Sequence, residues 1–285
     1  GGRAGATAAS VASRVTTVVV PVYDAAEATA ACLARLTRSI AADVQILLVD
    51  DASPDPAIAP MLAQFAASRP QTRVAYNACN RGFVGTVNRA LAETVGDVLL
   101  LNSDTLPTPG FLDRIEQCAA GDGRIGSVTP FSNNAEICSY PAFCRPNPLP
   151  TDLDAVAAAF ATEAATAPIE LPTGVGFCMW LRRAAIDAVG DFDQATFGRG
   201  YGEENDWCLR AAAHGWRNVL CPSAYVAHVG HASFAQTGER AGGENLRRLV
   251  ARYPRYNAQV ADFIAHDPPA AIRARVAARL GVAAP

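Results

Sequence analysis

Between Val15 and Leu101, four short apolar runs alternate with three helix-length segments, and this alternation constrains the fold more than any other feature. The runs are residues 15–20, 44–49, 73–76 and 98–101. Near-continuous runs of β-branched residues and leucines are the pattern of parallel strands buried on both faces. Between them, residues 25–40 place Leu33, Leu36 and Ile40 on one helical face. The next segment does the same with Ile58, Met61, Leu62 and Phe65, and the third with Val84, Val87 and Leu91. Alternation at this spacing predicts right-handed crossovers in a doubly wound sheet. Pro21 is expected to stop the first strand. Two runs end in polar clusters: Asp50-Asp51-Ala52-Ser53-Pro54 after the second, and Asn102-Ser103-Asp104 after the fourth. In an open parallel sheet both clusters lie on the C-terminal edge, where such sheets bind ligands.

The second half is less regular. Residues 111–119, 153–165, 183–189 and 203–214 read as helices, and residues 126–130, 175–181, 219–221 and 224–228 as strands. Residues 133–150, with Pro141, Pro146, Pro148 and Pro150, read as a loop. Gly198, Gly200 and Gly202 mark a loop with wide backbone freedom. Residues 268–285 read as a basic amphipathic helix with Ile272, Val276 and Leu280 on one face. Such a face packs on the body, on another module or at a membrane surface, and packing on the body is expected.

Composition removes several classes. With 285 residues, half of them hydrophobic, the chain can bury a full core as one large domain or a domain with an appendage. A net charge of -3 offers no general attraction to nucleic acid or to anionic membranes. The eight cysteines are scattered with no CxxC pair, which disfavours a zinc ribbon and favours a reducing, cytoplasmic setting. No apolar run approaches the roughly 20 residues that span a bilayer. No G-x-G-x-x-G follows the first strand, which argues against a dehydrogenase. The boundaries read as a disordered N-terminal segment (1–14), fitting a cloning remnant or the cut edge of a longer protein, a main domain (15–265) and a C-terminal helix or linker (266–285).

Each polar cluster has a plain structural reading. Asp51 or Ser53 can cap a helix, as can Asn102 or Asp104. Asn80 and Gly82 can form a tight turn. Glu203, Glu204 and Asp206 complement the dipole of a helix start, and Asp206 can pair with Arg210 at i,i+4. Trp180 and Trp207 fit a core or the wall of a groove.

Taken in order, however, these residues resemble the family 2 glycosyltransferases, inverting enzymes of the GT-A fold, over residues 15–234. Val18-Val19-Val20-Pro21-Val22-Tyr23 matches the family's first strand and turn, and Asp50-Asp51-Ala52-Ser53 its nucleotide-binding acidic pair. Asn80-Arg81-Gly82 through Asn88 matches its helix-start motif, and Asn102-Ser103-Asp104 its DXD metal motif. Tyr201-Gly202-Glu203-Glu204-Asn205-Asp206 matches its downstream acidic motif, and His228 with Ser233-Phe234 its late histidine. Two positions depart from the pattern. Asn102 stands where DXD has its first Asp, and Glu204 stands where many relatives have Asp.

The resemblance implies an α/β architecture of one Rossmann-like, doubly wound mixed sheet with flanking helices and a C-terminal helical extension. It implies transfer of a sugar from a UDP- or dTDP-linked donor to a saccharide or lipid-linked hydroxyl. Pro21, Tyr23, Asp50, Asp51, Asn80, Arg81, Gly82, Asn88, Asn102 and Ser103 would hold the nucleotide, with Asp50 or Asp51 facing the base. Asp104 and His228 would hold Mn²⁺ or Mg²⁺, since mixed oxygen and nitrogen ligation suits either ion. Trp180, Tyr201, Gly202 and Glu203 would flank the sugars. Glu204 would be the general base, with Asp206 as the alternative. Rhamnose or galactofuranose transfer in building a bacterial surface polysaccharide fits this style of motif. The competing readings are a nucleotidyltransferase-type nucleotide-sugar enzyme, which needs no cluster at residues 203–206, and a non-catalytic sugar-binding module of a larger assembly.

Overall fold

The structure, a computed structural model, describes residues 16–230 and 243–282. The expectation of disorder for residues 1–14 falls outside them, as do Val15, His231, Ser233 and Phe234. The first half follows the strand–helix alternation. It comprises β1 (Thr17–Val22), α1 (Ala26–Ser39), β2 (Gln45–Asp50), α2 (Ile58–Ser68), β3 (Thr72–Tyr76), α3 (Gly82–Ala92) and β4 (Val98–Leu101). β1 pairs in parallel with β2 and β4, and β2 with β3. Both faces of β1, β2 and β4 are covered. Val18, Val20 and Val22 join one buried cluster with Leu99 and Leu101, while Val19 joins the other with Val98 and Leu100. β1, β2 and β4 are therefore apolar at nearly every position, while β3, at the sheet edge, leaves Arg73 and Tyr76 exposed.

The first strand does not stop at Pro21 but runs to Val22, with Pro21 opposite Val49 of β2. The register with β4 ends at Val19, so at Pro21 the strand has a ladder neighbour on one side only, a place where a missing N–H is tolerated.

The second half continues with β5 (Thr105–Pro107), α4 (Phe111–Ala120), β6 (Ile125–Phe131), α5 (Leu153–Ala161), β7 (Ile169–Glu170), β8 (Cys178–Leu181), α6 (Arg183–Val189), α7 (Gln194–Phe197), α8 (Glu203–Ala213) and β9 (Arg217–His228). The spatial order is β3-β2-β1-β4-β8-β6-β9-β5, with β7 also on β9. β8 runs antiparallel to both β4 and β6, which makes the sheet mixed. The two strands expected at 219–221 and 224–228 are one bent strand. Its partners jump from Pro130↔Cys221 to Phe131↔Tyr225, so residues 222–224 form a bulge where the sequence shows Pro222 and Ser223.

Three helices follow: α9 (Glu244–Arg252), α10 (Tyr256–His266) and α11 (Ala270–Leu280). The expected amphipathic helix is α11, and Ile272 and Val276 are buried in the main core cluster. Arg275 reaches Glu163 just beyond α5. Its apolar face is thus covered by the chain itself. No helix among the described residues is long and apolar enough to cross a membrane.

Candidate active site

The strand order reverses between β1 and β4, and the C-terminal ends of β1, β2 and β4 meet at this switch point. Non-glycine residues with left-handed backbone follow the strands here: Asp24, Ala25 and Ala52. Such strain persists only where surrounding structure holds it, and it concentrates at functional sites. The Asp24 amide donates to Ser53 Oγ at 2.9 Å, joining the loops after β1 and β2. Pro21 and Tyr23 are half-buried beside them.

The two acids of the first pair have different duties. Asp51 Oδ1 accepts from Asn77 Nδ2 at 2.7 Å and from the Arg81 amide at 2.7 Å, and Oδ2 accepts from the Gly82 amide at 2.9 Å. Its carboxylate thus satisfies the orphan donors at the start of α3, which also favours its negative charge there. Among the described residues Asp50 is engaged on one oxygen, by the Ser53 amide at 2.9 Å. Gly82 cannot carry a side chain: at φ 74° its Cβ would lie 2.9 Å from Arg199 Cα. Asn80 Oδ1 also accepts from Arg199, so the glycine loop after α7 is clamped onto α3. Asn88 lies deeper along α3 and holds both backbone groups of Phe192, at 2.8 and 3.0 Å. The Arg81 side chain is exposed.

Strand register builds the acid–histidine pair. β5 and β9 pair antiparallel with Thr105 opposite His228, which sets His228 beside Asp104. His228 Nε2 lies 3.3 Å from Asp104 Oδ1. His228 Nδ1 lies 2.9 Å from the Asn134 carbonyl, and the His228 amide donates to Asn133 Oδ1 at 2.8 Å. Burial disfavours the imidazolium, but Asp104 and the Asn134 carbonyl outweigh it, and the imidazole pKa is raised. An Nδ1–H held by a carbonyl leaves Nε2 as the lone-pair donor, the tautomer of a metal-bound histidine. Asp104 and His228 therefore fit a divalent cation as two of its ligands, with substrate phosphate oxygens and water able to complete the shell. No group of three or more His, Cys, Asp and Glu ligands occurs among the described residues. Asn102, at the first DXD position, uses its backbone: its amide donates to Phe177 at 2.9 Å and its carbonyl accepts from Thr105 Oγ1 at 2.7 Å. Ser103 is buried between them in sequence.

From this pair a chain of contacts leads to the second acid. The Phe177 ring stacks on His228 with centroids 5.3 Å apart. A Cβ on the preceding residue, Gly176, would lie 3.7 Å from the Glu204 carboxyl carbon. Glu204 lines a cavity of about 400 Å³ with Glu136, Val175, Tyr201, Gly202 and Asn205 on one side and Leu246, Leu249, Tyr256, Val260 and Ile264 on the other. Burial raises the Glu204 pKa and the Glu136 charge adds to it, partly offset by backbone amides, including the Gly202 amide 3.3 Å from Oε2. A half-buried carboxylate with a raised pKa is suited to taking a proton from a hydroxyl.

Asp206 plays a different part. It is fully buried, with Oδ2 2.8 Å from Arg210 Nε and Oδ1 2.7 Å from Arg252 Nη1 and 2.9 Å from Tyr253 Oη. Both oxygens are committed: Oδ2 pairs within α8, and Oδ1 ties α8 to the end of α9. Glu203 is also buried, at the first position of α8. Trp180, expected beside the sugars, is in the core. On β8, Cys178 and Trp180 face one buried cluster and Met179 and Leu181 the other, so the strand has no wet side. The cavity wall from α9 and α10 was not foreseen. Nothing at residues 244–266 stands out in the sequence, because its apolar residues are spaced as any packing helix spaces them. Glu136 was also missed, lying in the proline-rich stretch with no motif around it.

The comparisons agree with this geometry. Residues 17–190 match the model of glycosyl transferase family 2. An N-acetylglucosaminyl-diphospho-decaprenol L-rhamnosyltransferase of Mycobacterium tuberculosis (strain ATCC 25618 / H37Rv) is 29% identical over 221 residues, 69% of this chain and 70% of that one. Among solved structures, the mannosyltransferase PcManGT from Pyrobaculum calidifontis, in complex with GDP-Man and Mn²⁺, superposes with a TM-score of 0.58 at 18% identity, covering 94% of this chain and 74% of that one. GalNAc-T7 with UDP, GalNAc and Mn²⁺ gives 0.64 at 14% identity, covering 85% and 50%. TarS 1-349 of S. aureus in complex with UDP-GlcNAc gives 0.58 at 15%, covering 93% and 72%. With its mixed sheet, its helices on both faces and its matched motifs, the chain is a glycosyltransferase of the GT-A fold and belongs to glycosyl transferase family 2.

Proposed function

We propose that this glycosyltransferase moves a rhamnose-class sugar from a dTDP- or UDP-linked donor to a hydroxyl of a lipid-linked saccharide, with inversion. The observation that carries the reading is the path Asp104–His228–Phe177–Gly176–Glu204, a short chain of contacts that links a carboxylate with a raised pKa to a carboxylate–imidazole pair. The rhamnosyltransferase relative supports the sugar and, through the diphospho-decaprenol in its name, the lipid-linked acceptor. The Mn²⁺ complexes of the structural neighbours support a divalent ion.

In this reading the free oxygen of Asp50, rather than the committed carboxylate of Asp51, faces the N–H of the pyrimidine base. Asp104 and His228 hold the cation, which supplies positive charge to the leaving diphosphate when bound. Glu204 takes the acceptor hydroxyl proton while that oxygen bonds to the anomeric carbon. The bond from that carbon to the diphosphate breaks, and its electron pair leaves with the diphosphate. One displacement from the opposite face inverts the configuration. The glycine loop at 198–202, braced by Arg199 on Asn80, shields the donor from water, which matters because hydrolysis competes with transfer. A lipid-linked acceptor would bring the enzyme to the inner face of the membrane.

The test is a panel of UDP- and dTDP-linked sugars with Mn²⁺ and a short-chain polyprenyl-diphospho-N-acetylglucosamine, read by mass spectrometry and by NMR of the new linkage. Transfer from dTDP-rhamnose with inversion is expected. Retention of configuration, or transfer only to acceptors without a lipid diphosphate, would overturn the reading.

A further inference from the structure

The loop at residues 132–140 closes on itself. The Ser132 amide donates to the Cys138 carbonyl at 3.1 Å, the Tyr140 amide to Ser132 at 2.7 Å, and the Ala135 amide to Ser139 Oγ at 3.0 Å. One end of it, Asn133 and Asn134, holds His228. Two residues further on, Glu136 has φ 47°, a left-handed conformation that a residue with a side chain rarely adopts. Buried Ile137 and Cys138 anchor the turn that imposes it. The result is a carboxylate on the same cavity wall as Glu204, with Tyr256 nearby on α10. No hydrogen bond or ion pair within the protein, among the described residues, engages the Glu136 side chain. The catalytic reading of Glu204 gives Glu136 no task. Backbone strain of this kind is retained where a side chain is needed in one place.

We propose that Glu136 is a specificity-determining residue for the acceptor: it accepts a hydrogen bond from a second hydroxyl of the acceptor sugar while Glu204 faces the hydroxyl that reacts. The inference rests on the reading of this cavity as the acceptor site. Two carboxylates lining one cavity grip a saccharide at two points, which fixes which hydroxyl meets the base. Glu136 is exposed to the cavity in the free chain, and once an acceptor covers it, an analogue without the donor leaves the carboxylate desolvated and unpaired. The surrounding cavity walls raise the Glu136 pKa by partial desolvation, although the side chain itself remains open to water.

The experiment compares the wild type with Glu136→Gly, Glu136→Gln and Glu136→Asp. Glycine relieves the left-handed backbone, so this variant should melt no lower than the wild type. With polyprenyl-diphospho-N-acetylglucosamine as the probe, Glu136→Gly should raise the acceptor KM at least tenfold, leave the donor KM unchanged and lower kcat by less than threefold. Glu136→Asp should recover part of the loss. Monodeoxy analogues of the acceptor sugar supply the readout that a structural role would not move. One analogue should bind the wild type as poorly as the full acceptor binds Glu136→Gly, and should lose nothing further in that variant. An unchanged acceptor KM in a folded Glu136→Gly, or equal losses on every analogue, would overturn the proposal. Glu204→Gln is run alongside: if it keeps full turnover, the reading of Glu204 as base fails, while the acceptor-KM result for Glu136 still stands or falls by itself.

Discussion

The edge of the parallel half and the cavity of the second half both carry acids, but they use them in opposite ways. At the parallel edge, Asp51 spends both oxygens on backbone and side-chain donors, and its product is a rigid start to α3. In the cavity, Glu204 accepts from the Gly202 amide and still lines open space, Glu136 lines the same space, and both pKa values are raised. Asp206, two residues after Glu204, is committed like Asp51. The lesson is that an acid in a family motif is read by counting its donors. A carboxylate with every oxygen paired serves the framework, and one that lines a cavity is the candidate for chemistry.

Four experiments would break or sharpen this contrast, and the largest effect belongs to the cavity. Glu204→Gln should lower kcat by about 10³-fold with little change in melting temperature, since it removes the base and no packing. A comparable loss of stability would move Glu204 into the framework class. Asp206→Asn should instead unfold easily, losing about 3 kcal/mol in denaturant titration, because Arg210 and Arg252 lose a fully buried partner. Wild-type stability with lost turnover would reverse its assignment. Asp51→Asn should cost about 1–3 kcal/mol, since it turns acceptors toward the Arg81 and Gly82 amides into a poorer match. Arg81→Ala, in the same turn, should stay within about 0.5 kcal/mol, because the backbone of Arg81 is held and its side chain is exposed.

The pH profile separates the two classes again. In the proposed mechanism Glu204 must be deprotonated to act, and burial followed by the Glu136 charge raises its pKa. Activity should therefore fall as pH drops through a value above the ordinary carboxylate range, and the acid limb of kcat/KM should lie there. An acid limb at or below pH 4.5, the ordinary glutamate value, would mean that Glu204 is better hydrated than its surroundings suggest.

Much of this was open to reading in the chain. Runs such as Val18-Val19-Val20 and Leu99-Leu100-Leu101 read as strands buried on both faces, and their spacing around helical patterns points to a doubly wound sheet. Strand ends then name Asp50 and Asp104 as edge residues, because a run of apolar residues that stops in carboxylates has reached the end of the apolar layer, although both acids are themselves largely covered. Hydropathy is a local quantity, so these conclusions need only neighbours in sequence.

Partnership is not local, and only the tertiary structure decided it. His228 joins Asp104 through the register of β5 on β9, and Trp180 goes to the core because β8 is inserted between β4 and β6. Glu204 and Asp206 share a helix turn, yet one faces the cavity and the other α9, since about 100° of rotation separates each successive residue on a helix. Glu136 was invisible for the same reason: a lone acid in a loop acquires meaning only from what the fold sets around it.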